Sequence, residues 1–160
     1  MTIQVGDTLP SINLTTMTDE GPKPVSMAEI SSGKKVVLFA VPGAFTPTCS
    51  VQHLPGFLEK NSDLKEKGVD VIACVSVNDP FVMKAWGEDR SVGDDVMMLS
   101  DGNGEFTAAI GLEMDGSGFG LGTRSQRYAM IIDDGVVSAL NVEPGPGLDV
   151  SSAETILGQL

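Results

Sequence analysis

Few side chains in this sequence have types and spacings that suit covalent chemistry: two cysteines, one histidine and a pair of late arginines. Cys49 lies near the end of the string Val41-Pro42-Gly43-Ala44-Phe45-Thr46-Pro47-Thr48-Cys49-Ser50. The commoner fate of a free cysteine is to be a small buried hydrophobe, but the flanking residues argue for reactivity here. Thr46 lies one helical turn before Cys49, so its hydroxyl can reach the sulfur or a substrate on it. His53 lies four residues after it, on the same face of a helix. Arg124 and Arg127 are candidate cations. The thiolate, not the thiol, is the nucleophile, and both a helix N-terminus and a nearby cation favour it. A Cys–His pair also suggests a cysteine protease or transferase. That chemistry wants an orienting third group and a histidine from elsewhere in the fold, so His53 reads as a structural hydrogen-bonding residue beside the site.

The elements that must position these groups follow from hydrophobic pattern. Val36-Val37-Leu38-Phe39-Ala40 reads as a buried strand. The chain then turns through Pro42 and Pro47, and Pro47 suits the first turn of a helix. Cys49 therefore sits at a helix start. Leu54-Pro55-Gly56 bends that helix. Residues 57–66 continue it as an amphipathic helix, and 69–77, containing Cys74, form the next strand. Strand, helix, strand implies a parallel right-handed unit. Asn78-Asp79-Pro80 opens a helix through Trp86, whose aromatic and Met stripe reads as core packing. Residues 96–99 form a strand and 105–110 a helix.

Upstream, residues 1–10 lead in, Ile12 and Leu14 mark a short strand, 15–24 reads as a turn or hairpin, and Ser26 caps a short helical turn. Downstream, 115–122 is glycine-rich but lacks the spacing of a dinucleotide fingerprint and reads as a flexible loop. Residues 127–132 and 136–142 form a hairpin about Asp133-Asp134-Gly135, 144–147 is a loop, and Ser151-x-x-Glu154 reads as a capping box opening a last helix over 153–160.

The 160 residues, 41% hydrophobic, suit one domain spanning 1–160. No apolar run is long enough to cross a membrane. The N-terminus resembles neither a signal nor a transit peptide, and the expected location is the cytoplasm. A formal net charge of −12 argues against nucleic acid or an anionic membrane as a partner. Two cysteines are too few for a disulfide scaffold, and a single histidine leaves too few soft ligands for zinc. No metal and no cofactor are expected.

Pro42-x-x-x-Thr46-x-x-Cys49 resembles the signature of the peroxiredoxins. The longer string Pro-Gly-Ala-Phe-Thr-Pro-Thr-Cys-Ser and the later Val-Asn-Asp-Pro-Phe-Val-Met-Lys-Ala-Trp-Gly resemble the atypical subfamily, type II in plants and type five in mammals. The resemblance implies an α/β thioredoxin-like fold with an N-terminal extension and a central insertion, its mixed sheet flanked by helices. It implies a thiol peroxidase in which Cys49 attacks a hydroperoxide and becomes a sulfenic acid, with the sulfur open to the oxidant at a pocket bounded by Pro42. Thr46 and Arg127 would supply donors to the reacting oxygens, and Pro42 would shield the pocket. Arg124 would stand beside the site or at an interface. A homodimer is implied, with Phe45 and the Trp86 helix expected at the contact. Cys74 has two readings. Its strand position makes it buried and inert, whereas its spacing from Cys49 resembles plant members whose matching cysteine resolves the sulfenic acid. The mammalian resolving thiol has no counterpart at residues 147–151. The competing route is reduction by glutathione or a glutaredoxin; thioredoxin is the other candidate donor. A thiol–disulfide oxidoreductase would want Cys-x-x-Cys, whereas the chain has Cys49-Ser50-Val51-Gln52. A redox sensor or holdase is the remaining alternative.

Overall fold

The apolar run before the cysteine string forms the middle of the molecule. In the computed structural model, which describes residues 1–160, it is strand β3 (Lys35–Ala40), flanked by β4 (Val71–Ser76) in parallel and β8 (Tyr128–Asp133) antiparallel. Side chains alternate along a strand. Val36, Leu38 and Ala40 accordingly face one apolar cluster, and Val37, Phe39 and Val41 face another. A strand covered on both faces must be apolar throughout, which explains the unbroken run.

The full sheet has seven strands. The others are β1 (Asn13–Thr18), β2 (Gly21–Ser26), β5 (Met97–Ser100) and β9 (Val136–Val142), and the order is β2-β1-β5-β4-β3-β8-β9. The helices are α1 (Met27–Ser31), α2 (Leu54–Glu59), α3 (Asn61–Glu66), α4 (Pro80–Asp89), α5 (Glu105–Ile110) and α6 (Ala153–Leu157). Residues of α1 and α5 join the first cluster. Residues of α2, α3, α4 and α6 join the second, which also contains Cys49 and Cys74. This is the thioredoxin-like α/β plan, a mixed sheet flanked by helices.

The structure refines or corrects four local readings. Residues 15–24 form the hairpin alternative, β1–β2, paired from Asn13↔Ser26 to Thr18↔Gly21. Pro22 and Pro24 are tolerated because β2 is an edge strand. Residues 116–122 are a loop, with a short 3-10 turn at Ser117–Phe119, and the loop joins β6 (Glu113–Asp115) to β7 (Thr123–Ser125), a second, two-stranded sheet that the sequence pattern did not reveal. The last helix is capped by Ser152, whose hydroxyl accepts from Thr155 N–H, and it stops at Leu157. The hydroxyl of Ser151 is committed elsewhere, as described below. Finally, the bend before Pro55 is a π-helical turn, Cys49–His53, in which Leu54 N–H reaches Cys49 C=O. Proline has no N–H to continue the ordinary ladder, and such turns recur at functional sites. The β8–β9 turn matches expectation: Asp134 and Gly135 have φ of 48° and 83°, the pair of left-handed residues that a two-residue hairpin requires.

Candidate active site

Sheet topology delivers the site. The pair Ala40↔Tyr128 joins the C-terminal end of β3 to the N-terminal end of β8. Arg127, one residue before Tyr128, thereby lies beside the turn that follows β3. Val142 pairs with Tyr128 from the other side, and Glu143 N–H donates to Arg127 C=O at 2.9 Å. Arg127 and Glu143, far from Cys49 in sequence, are thus brought to the cysteine loop.

The loop is held at several points. Asn78 Oδ1 accepts from Ala44 N–H at 2.9 Å and from Ser76 Oγ at 2.6 Å. Phe45 adopts φ of 65°, a left-handed conformation costing roughly 1 kcal/mol for a side-chain-bearing residue. Arg124, on β7, donates from Nη1 to Pro42 C=O at 3.4 Å and from Nε to Leu121 C=O at 2.9 Å. Gly43 is wedged beneath it, since a Cβ there would lie 3.1 Å from Arg124 Nη1 and 3.2 Å from Thr46 Cγ2.

Pro47 begins the helix, and Ser50 N–H reaches Thr46 C=O at 2.9 Å. The Thr46 hydroxyl lies 2.7 Å from Gly43 C=O and 2.8 Å from Cys49 Sγ. It carries one proton, so donation alternates between carbonyl and sulfur. A thiol can donate to Thr46 while Thr46 donates to Gly43; a thiolate takes the Thr46 proton instead. Ser50 accepts from Trp86 Nε1 at 2.9 Å, which ties the cysteine turn to α4.

Arg127 supplies the second contact with sulfur. Its Nη2 lies 3.1 Å from Cys49 Sγ, and its Nη1 lies 2.9 Å from His53 Nδ1. His53 Nε2 lies 2.9 Å from Ser151 C=O. A carbonyl only accepts, so Nε2 carries the hydrogen and Nδ1 is the acceptor that Arg127 needs. Burial, then the neighbouring Arg127 charge, push the His53 pKa from 6.5 down to about 3, against the Ser151 bond and the Glu143 charge. His53 is therefore neutral at physiological pH and packs against Phe39 and Phe57, with ring centroids 4.9 and 5.6 Å away.

Cys49, Thr46, Arg127 and His53 thus come together as the sequence suggests, with Pro42 bordering them and Arg124 bracing its carbonyl. One expectation fails. Cys49 is 0% exposed, so the sulfur is not open to solvent in this conformation. A cavity of about 410 Å³ reaches Pro42, Arg127 and Glu143 but stops short of it. Two donors aimed at a sealed sulfur still distinguish it from a hydrocarbon-buried thiol. Cys74 has no such donors. It is fully buried in β4 and unpaired, and burial, then the proximity of Cys49, push its thiol pKa upward, only partly opposed by Arg127. On α4, the helix expected at an interface, Trp86 is buried and supports Ser50 whereas Phe81 is exposed.

Sequence reasoning missed Asn78, Glu143 and Ser151. Asn78 was readable only as a helix-start residue, and nothing local distinguishes Glu143 from other acidic residues in a chain with 22 of them.

The Redoxin family model matches residues 4–157. The chain is 58% identical over 164 residues to peroxiredoxin-2E-2, chloroplastic, of Oryza sativa subsp. japonica, covering 99% of this chain and 73% of that protein. It is 50% identical to peroxiredoxin-2B of Arabidopsis thaliana, covering 99% and 98%. The crystal structure of reduced Prx3 in complex with H2O2 from Vibrio vulnificus superposes with a TM-score of 0.95 at 58% identity, covering 98% of each chain. The chain belongs to the peroxiredoxins, within the Redoxin family, and is a thiol-dependent peroxidase.

Proposed function

We propose that Cys49 is the peroxidatic nucleophile, with Thr46 and Arg127 as its catalytic partners. The carrying observation is the convergence of Thr46 Oγ1, at 2.8 Å, and Arg127 Nη2, at 3.1 Å, on one sulfur. The thiolate attacks one peroxide oxygen, the O–O bond breaks, and the second oxygen leaves as alkoxide or hydroxide and takes up a proton. Sulfur is oxidised to the sulfenic acid as the peroxide is reduced to alcohol or water. The same two donors can follow the charge onto the leaving oxygen, where preorganised donors lower the barrier most. Pro42 borders the approach and offers no N–H to compete. Arg124 fixes the Pro42 carbonyl. Because the sulfur is covered, peroxide entry requires a small opening of the Pro42–Thr46 turn against the Arg127 side of the cavity.

The substrates are hydrogen peroxide and alkyl hydroperoxides, in keeping with the peroxide held by the Vibrio vulnificus relative. The sulfenic acid is reduced by an external thiol, glutathione with glutaredoxin or thioredoxin: the donor sulfur bonds to Cys49, water leaves, and a second thiol frees Cys49. The burial of Cys74 favours this route over a Cys49–Cys74 disulfide. A second reading keeps that disulfide, supported by the placement of both thiols in one apolar cluster on one face of the sheet. The location is the cytoplasm, in line with two free thiols. The protein acts as a homodimer, with Phe45 and Phe81, 50% and 65% exposed, at the contact. The experiment is peroxide consumption by wild type, Cys49→Ser and Cys74→Ser with each donor system in turn. Cys49→Ser abolishes turnover. Full turnover by Cys74→Ser with glutathione supports external reduction, and its loss restores the disulfide route.

A further inference from the structure

Glu143 is a buried carboxylate that the peroxidase mechanism does not use directly. Its Oε2 accepts from Asp149 N–H at 2.8 Å, Ser151 N–H at 2.8 Å and Ser151 Oγ at 2.6 Å. These bonds fold the Pro144-Gly145-Pro146-Gly147 loop back, so that Ser151 C=O meets His53 Nε2 at 2.9 Å. The next contacts are His53 Nδ1 to Arg127 Nη1 at 2.9 Å and Arg127 Nη2 to Cys49 Sγ at 3.1 Å. The polarity of this chain is forced at every link. The carbonyl must accept, so Nε2 donates; Nδ1 must then accept, so the guanidinium can donate to it. The other tautomer would set an N–H against the Arg127 N–H and turn the guanidinium away from sulfur.

We infer that Glu143 is a positioning residue for the peroxidase reaction: by clamping residues 149–151 it selects the His53 tautomer that aims Arg127 at Cys49. A Glu143 side chain that served only to pack the loop would have no reason to control a proton on a histidine two elements away. The inference rests on the assignment of Cys49 and Arg127 above.

The chain has one histidine, so its ring nitrogens are read without ambiguity by 15N–1H correlation spectroscopy. Wild type is expected to show the Nε2–H tautomer alone. Glu143→Ala is expected to show both tautomers, together with a fall of about tenfold or more in the rate of Cys49 oxidation by hydrogen peroxide. Glu143→Gln, which keeps an acceptor oxygen, is expected to restore the tautomer and to bring the rate within about threefold of wild type. If the alanine variant does not fold, Glu143→Asp, which withdraws the carboxylate by one methylene, carries the same comparison. An Nδ1–H tautomer in wild type, or a folded Ala or Asp variant with wild-type tautomer and rate, overturns the inference. A wild-type protein that shows the Nε2–H tautomer but leaves hydrogen peroxide untouched defeats the assignment of Cys49 and not the clamp.

Discussion

Replacing His53 with glutamine removes a group whose proton affinity differs greatly between the folded and unfolded chain. Unfolded, the imidazole titrates near 6.5; folded, at about 3. The groups facing it are Arg127 on one nitrogen, the Ser151 carbonyl on the other, the Glu143 charge beyond, and the rings of Phe39 and Phe57. The folded value is depressed. Below pH 6.5 the unfolded chain therefore binds a proton that the folded chain does not, and stability falls as pH drops from about 6.5 toward about 3. Above 6.5 neither state is protonated and the contribution is complete. A depression of that size corresponds to roughly 5 kcal/mol over the whole window, with a slope approaching about 1.4 kcal/mol per pH unit. Glu143 acts in the same direction. Burial opposes its charge, but the Ser151 hydroxyl and loop N–H groups outweigh that and hold its pKa below 4.5, so its contribution begins to disappear only below that pH. Urea unfolding at pH 7, 6 and 5, followed by fluorescence of the single tryptophan, isolates the histidine. Wild type should lose roughly 2 kcal/mol more than His53→Gln between pH 7 and 5. A difference between the two proteins that does not change with pH would refute the neutral, buried imidazole and the proton assignment built on it.

Other substitutions test the remaining contacts. Arg127→Lys keeps the charge but cannot bridge His53 and Cys49 together, and hydrogen peroxide reduction should fall about 10²-fold or more in stopped-flow assays. Thr46→Val should lose about 10²-fold while Thr46→Ser retains most of the rate, since the hydroxyl alone touches sulfur. Trp86→Phe should cost about 1–3 kcal/mol in denaturant unfolding, because it leaves the buried Ser50 hydroxyl without its Nε1–H partner.

The parts legible in the sequence were those written in local pattern. The β3 run, the Asp134-Gly135 turn and the Asp79-Pro80 helix start each carry their structure in adjacent residues. Cys49 and Thr46 were legible for the same reason, being one turn apart. Arg127 was not, except by resemblance: its arrival depends on β8 pairing antiparallel with β3 across nearly ninety residues of chain. The β6–β7 hairpin hid behind glycines that signal turns but not the strands flanking them. The cap of α6 was misread by one residue because Ser151 and Ser152 are equivalent as caps, and only the long-range demand of Glu143 on Ser151 decides between them. The burial of the sulfur was invisible too, since Cys49 joins an apolar cluster whose members run from Val37 to Ile156.

Whether Cys49 is the peroxidatic sulfur is decided by where the first oxidation lands. One equivalent of hydrogen peroxide is added to the reduced protein in the presence of a sulfenic-acid trapping reagent, and the adduct is located by peptide mass spectrometry. One adduct per chain is expected, on Cys49, with peroxide consumed in equal amount and none consumed by Cys49→Ser. An adduct first on Cys74, or undiminished peroxide consumption by Cys49→Ser, would contradict it.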